Sequence, residues 1–131
     1  MTEAEREWPE YYPTDCPKPG ARNDEIGAYR AIKTDTPAPD DFIPVIILSP
    51  ERDYKDICEA SGLSVFSDVQ DLIRKRKRLP GFRKLYKSIA FGTITPDSGL
   101  HMSTGKDSHI TWWVYVGFQP HVYFKAIPME G

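Results

Sequence analysis

Residues 88–127, "SIAFGTITPDSGLHMSTGKDSHITWWVYVGFQPHVYFKAI", alternate apolar and polar side chains with period two and break at turn signals. That rhythm decides the fold class. "PDSG" and "GKDS" are turn sequences and "QP" is a break, so the stretch predicts four strands joined as an antiparallel meander. In the longest strand His109, Thr111, Trp113 and Tyr115 share one face, while Ile110, Trp112, Val114 and Val116 share the other. The aliphatic face predicts core, together with Ile89 and Phe91 of the first strand.

Upstream the period lengthens to that of helices. "SDVQDLIRKRKRLP" opens with the capping box Ser67-x-x-Gln70, turns Val69, Leu72, Ile73 and Leu79 inward, and must stop near Pro80. "SPERDYKDICEASG" predicts a second helix with Ser49 as cap, Pro50 in its first turn, Gly62 beyond its end and an apolar stripe of Tyr54, Ile57 and Cys58. "LSVF" between them reads as a strand or a tight connection. "FIPVIIL" reads as a buried strand that Pro44 restricts to an edge or a late start. "GAYRAIK" alternates Ala28, Arg30 and Ile32 against Tyr29, Ala31 and Lys33.

Residues 1–25 carry four prolines and no period, so an irregular segment is expected, pinned onto the body by Trp8, Tyr11 and Tyr12. The remainder, 26–131, is expected to be one α+β domain, a curved antiparallel sheet with two or three helices. A length of 131 residues suits a single core. The opening "MTEAEREWPE" is acidic and lacks an apolar segment, and no apolar run is long enough for a membrane span, so a cytoplasmic protein is expected. In that setting Cys16 and Cys58 are expected as two reduced thiols, one on a loop and one packed on a helix.

Charge is distributed unevenly. Residues 1–73 hold seven Lys or Arg against sixteen Asp or Glu, and residues 74–131 hold ten against three. The basic excess concentrates in "LIRKRKRLPGFRKLYKS", residues 72–88. Arg74, Lys75, Lys77 and Arg78 point away from the helix's apolar stripe, and Arg83, Lys84 and Lys87 continue the charge beyond the Pro80-Gly81 turn, with Phe82 and Tyr86 interleaved. Unmixed like charges repel, a cost that ordinary solubilising faces avoid by alternating signs. Two readings explain them: acids of the first half lie opposite within the fold, or the segment engages an anionic partner, nucleic acid or acidic protein, with the aromatics available for base stacking.

A second candidate is "SHITWWVY". Its polar and aromatic face, with Tyr29 from the early strand, predicts a pocket in which Trp113 and Tyr115 hold a planar ligand and His109 supplies a proton or hydrogen bond. Arg30, on a strand beside Ile32, requires an internal acid or a bound anion. "GLSVF" begins like a nucleophile elbow, but Phe66 replaces the second glycine that the sharp turn requires. The three histidines and two cysteines lack ligand spacing, so no metal is expected, and the common phosphate-binding glycine loops are missing.

The ordered set Tyr29-Arg30, Gly62 to Phe66, a strand ending in Gly92, and Ser108 to Trp113 resembles a loosely defined group of small uncharacterised bacterial domains. It is also similar to ADP-ribosyltransferases, in which an early strand Arg or His and a central Ser contact NAD and a late Glu activates the ribose. That resemblance implies Arg30 and Ser64 in those roles and NAD or another nucleotide as the cofactor, with His109 as a third catalytic candidate. After residue 71 the acids are Asp97, Asp107 and Glu130, none in a recognisable catalytic turn. The leading expectation is a small binding domain that requires no cofactor; the alternative is an NAD- or nucleotide-using transferase.

Overall fold

A computed structural model describes residues 6–128. It is an α+β domain in which six antiparallel strands form one open sheet: β1 Ile26–Ile32, β2 Leu63–Phe66, β3 Ser88–Ile94, β4 Gly99–Ser103, β5 His109–Val114 and β6 Phe124–Ala126. Four helices accompany it among the described residues: α1 Val45–Leu48, α2 Ile57–Ser61, α3 Val69–Arg78 and α4 Pro80–Leu85. No described helix is long and apolar enough to cross a membrane.

The strand order is β4-β5-β2-β1-β3-β6, so the last four strands do not form the expected meander. β3 pairs with β1 over seven residues, and the Thr95–Ser98 turn then carries the chain to the opposite edge, where β4 pairs with β5. Gly99 permits that arrival. Its φ is +152° and a Cβ there would lie 1.9 Å from the Trp113 carbonyl oxygen, so the backbone of β4 presses directly on β5.

Side chains on one sheet face, Ala28, Ile32, Val65, Ala90, Ile110 and Trp112, pack with Phe42 and Phe124. On the other, Ala31, Phe66 and Ile89 pack under Leu72 of α3. Leu72, Ile89, Ile110 and Trp112 are buried as expected, and Val69, Ile73 and Val114 partly so. Phe91 and Val116 are corrections, at 40% and 48% exposure. Phe91 stands on β3 beyond the cover of the helices, and Val116 lies past the end of β5. Leu79, in the connection between α3 and α4, is exposed as well.

Three local expectations also need correction. "FIPVIIL" holds the short helix α1 instead of a strand, because the Pro44 carbonyl collects the amides of Ile47 and Leu48. The helix expected from Ser49 begins only at Ile57, where the Asp56 carboxylate accepts from the Glu59 amide; Ser49 instead closes α1, and its carbonyl accepts the Tyr54 hydroxyl. α3 is capped by Asp68, which accepts from the Gln70 amide, while the amide of Ser67 donates to the Ser108 carbonyl, one step beyond the β2–β5 pair Phe66↔His109.

The cysteines differ from expectation too. The N-terminal segment wraps back so that Cys16 meets Cys58 on α2, and the two form a disulfide. The same wrap stacks Trp8 on Tyr115 at 4.4 Å between ring centroids, and its Glu7 carbonyl accepts the Val116 amide.

Candidate anion-binding cleft

The sheet is not evenly knit. β2 pairs with β5 at four positions and β1 with β3 at seven, but β1 and β2 share the single pair Tyr29↔Phe66. Past that pair the ladder lapses, and a cleft of about 320 Å³ opens, within the range of small-ligand sites. α1 and the following loop close one side with Val45, Leu48 and Arg52; α3 and α4 close the other with Lys75, Phe82 and Tyr86.

Arg30 reaches across the opening. Its Nε donates to the Asp41 carbonyl at 2.7 Å and one terminal nitrogen donates to the Ser64 carbonyl at 2.8 Å, with the guanidinium 5.4 Å from the centroid of the Phe42 ring. Neither bond involves a carboxylate. The nearby Asp41 side chain is committed to the amides of Lys33 and Ala38, which fold the loop around the turn Pro39–Asp41. Burial lowers the Arg30 guanidinium to about 10, with Tyr86 and Asp41 opposing the shift.

Lys75 enters from α3. Its ammonium lies 5.8 Å from the Phe66 ring and 4.9 Å from the Phe82 ring. Burial holds it below the usual lysine range, and the repulsion of Arg78 and Arg30 adds to that. The cleft thus gathers Arg30, Lys75 and Arg52 among aromatic walls, and among the described residues no Asp or Glu lines it. The expectation that Arg30 needs an acid or an anion resolves to half an answer: among the described residues it forms no ion pair.

Of the candidates read from sequence, Arg30, Ser64, Lys75, Phe82 and Tyr86 line this one cleft. His109, at the start of β5, meets Ser64 through Nε2 at 3.0 Å to the hydroxyl. The aromatic pocket expected on the β5 face is not formed. Trp113 is fully buried because α2 covers that part of the face, and its indole donates to the Cys58 carbonyl at 2.8 Å. Tyr115 is stacked under Trp8, and Tyr29 packs 4.8 Å from Phe91.

Among the described residues, Asp71 is the one acid of the first half that pairs with the basic segment. Arg74 pairs with Asp71, a buried carboxylate that also accepts the Ser108 amide. Arg76 donates to the Tyr86 and Lys87 carbonyls and so fixes the end of α4. Lys77, Arg78, Arg83, Lys84 and Lys87 are exposed and have no carboxylate partner among the described residues. The α3–α4 hairpin therefore presents a cationic surface whose inner edge, Lys75, Phe82 and Tyr86, is the wall of the cleft.

Asp97 bonds Thr95 in the β3–β4 turn, and Asp107 sits in the β4–β5 turn; neither lines the cleft, and Glu130 falls outside the described residues. Among the described residues no cluster of three or more His, Cys, Asp or Glu is placed to hold a metal.

Arg52 and Thr104 are site residues that the sequence reading missed. Arg52 lay inside the helix expected from Ser49. Thr104 had a signal: it stands five residues before His109, across a tight turn, where its carbonyl and hydroxyl meet Nδ1 at 3.1 and 2.9 Å. Compared with protein-family models, curated proteins and solved structures, the chain matches none.

Proposed function

We propose that this chain is a small binding domain for an anionic partner, nucleic acid or acidic protein, engaged by the α3–α4 hairpin. An anionic group of that partner seats in the cleft. One observation supports this reading above the others: Arg30 and Lys75 are withdrawn from water in one cleft that, among the described residues, no carboxylate lines. Two partly buried cations facing each other raise the energy of the empty site, and a phosphate or carboxylate placed between them relieves both the lost hydration and the repulsion. The exposed Lys77, Arg78, Arg83, Lys84 and Lys87 would track the rest of a polyanion, and Phe82 and Tyr86 offer ring faces at the mouth.

A titration with a short single-stranded oligonucleotide and with poly-glutamate, each over a salt series, tests the proposal. Binding should weaken steeply with salt, because each neutralised phosphate releases a counterion. Reversing Lys77, Arg78, Arg83 and Lys84 to Glu should abolish it. Retention by that folded variant equal to wild type would remove the proposal; preference for one polymer identifies the partner class.

A second reading, an NAD- or nucleotide-using transferase of ADP-ribosyltransferase-like type, draws support from Arg30 meeting Ser64 across the split in the sheet. Among the described residues no carboxylate lines the cleft to activate a ribose. Saturable NAD binding that requires both Arg30 and Ser64 would favour it over the polymer reading.

A further inference from the structure

Ser64 is exposed on β2, and strand pairing with Thr111 fixes its backbone. Its hydroxyl lies 3.0 Å from Nε2 of His109. The other ring nitrogen, Nδ1, lies 3.1 Å from the Thr104 carbonyl, and a carbonyl can only accept. The Thr104 hydroxyl also lies 2.9 Å from Nδ1; with that hydroxyl donating to Thr111 and the Nδ1 proton donated to the Thr104 carbonyl, Nε2 is left as the acceptor for the Ser64 hydroxyl. The Thr104 hydroxyl, 2.7 Å from that of Thr111, braces the same turn. Nucleophile, base and orienting acceptor are in line, the arrangement by which hydroxyl nucleophiles are activated on unrelated folds.

We propose that Ser64 is an activated nucleophile, with His109 as its general base and Thr104 positioning the imidazole, and that the site cleaves activated esters carrying an anionic group. The choice of an anionic substrate rests on the binding reading of the cleft; the nucleophile does not. Ser64 Oγ attacks the acyl carbon as its proton passes to Nε2. The bond from that carbon to the leaving oxygen breaks, and Nε2 returns the proton to the departing alcohol. Water then attacks the acyl carbon and gives a proton to Nε2; the acid departs, and Ser64 Oγ recovers the proton. Arg30 and Lys75, in the same cleft, hold the substrate's anionic group and supply positive charge near the developing oxyanion.

A neutral dialkyl fluorophosphonate tests the nucleophile without relying on the cations. Its P–F bond is displaced by an attacking hydroxyl, leaving a stable phosphoryl ester that mass spectrometry locates. The expected result is one adduct, on Ser64, absent in Ser64→Ala and formed about a hundredfold more slowly in His109→Gln, the lower end of a positioned base's contribution. No adduct on Ser64, or labelling of His109→Gln at the wild-type rate, overturns the proposal. Hydrolysis of 4-nitrophenyl acetate and of the anionic 4-nitrophenyl hemisuccinate then tests the substrate class. Arg30→Met should slow the anionic ester by more than it slows the neutral one; equal slowing of both overturns that assignment and leaves the nucleophile to the labelling result.

Discussion

Arg30 of β1 donates to the carbonyl of Ser64 of β2 at 2.8 Å, across the opening where those strands have ceased to pair. A side chain there replaces a rung of backbone ladder. The exchange leaves a guanidinium facing a cleft, and it fixes the backbone of the residue whose hydroxyl meets His109.

Arg30→Met should separate stability from binding. The variant removes a charge held from water, a change that is often neutral or stabilising when an apolar chain of similar size replaces it. The Asp41 and Ser64 carbonyls lose a donor, but they border an open cleft that water can enter. Denaturant unfolding should therefore shift by no more than about 1 kcal/mol either way, while oligonucleotide or poly-glutamate affinity falls at least about tenfold, the weight of one charge-assisted contact. Loss of stability well beyond that, with affinity intact, would make Arg30 purely structural.

The disulfide gives a second expectation. Cys16 and Cys58 are separated by 42 positions, and opening a loop of that size releases unfolded-chain entropy worth roughly 4 kcal/mol as an upper figure. Thiol reductant, or the paired change of both residues to Ser, should lower the urea midpoint accordingly. The loss should include the N-terminal wrap, read as weaker quenching of Trp8 by Tyr115 and Tyr12. A midpoint indifferent to reductant would show that the wrap holds without the bond.

Acid should weaken the fold in two separable windows. Burial lowers His109 below the ordinary imidazole value, Lys75 on α3 pushes the same way, and the Thr104 carbonyl and Glu59 on α2 oppose. The native state thus binds fewer protons here than the unfolded chain, so this contribution is complete above about pH 6.5 and is lost as pH falls through the lower folded value. Asp24 and Asp56, lowered mainly by Arg22 and Lys18, contribute only above the usual carboxylate range and fail at still lower pH. Urea midpoints between pH 7.5 and 5 should decline for wild type and stay level for His109→Gln. Parallel curves for the two proteins would remove His109 from the account.

Much of the core was legible because the periods that place Leu72, Ile89, Ile110 and Trp112 depend on local geometry alone. Phe91 shows the limit of that reasoning: alternation places it on a face but does not say how far the helices extend over that face. The order of strands was not legible, since β3 and β4 are joined by a sequence that reads as a hairpin turn and yet end at opposite parts of the sheet. The Ser64–His109 contact was hidden for the same cause. It depends on the register Phe66↔His109 and Ser64↔Thr111 between segments 45 positions apart, and no short-range signal encodes that pairing. The basic hairpin was legible as composition, but only folding shows that Lys75 turns inward, Arg74 and Arg76 are occupied, and five cations stay uncovered.

The single rung between β1 and β2 has a mechanical implication. Each set of three strands is a ribbon riveted internally by its own ladder, whereas the seam joining the ribbons is riveted by one backbone pair and the Arg30 side chain. Shear or splay between the ribbons therefore meets its least backbone resistance along that seam. A molecule seated there and gripped from both sides would act as the missing rivet, making occupancy of the cleft and stiffness of the sheet two readings of one quantity.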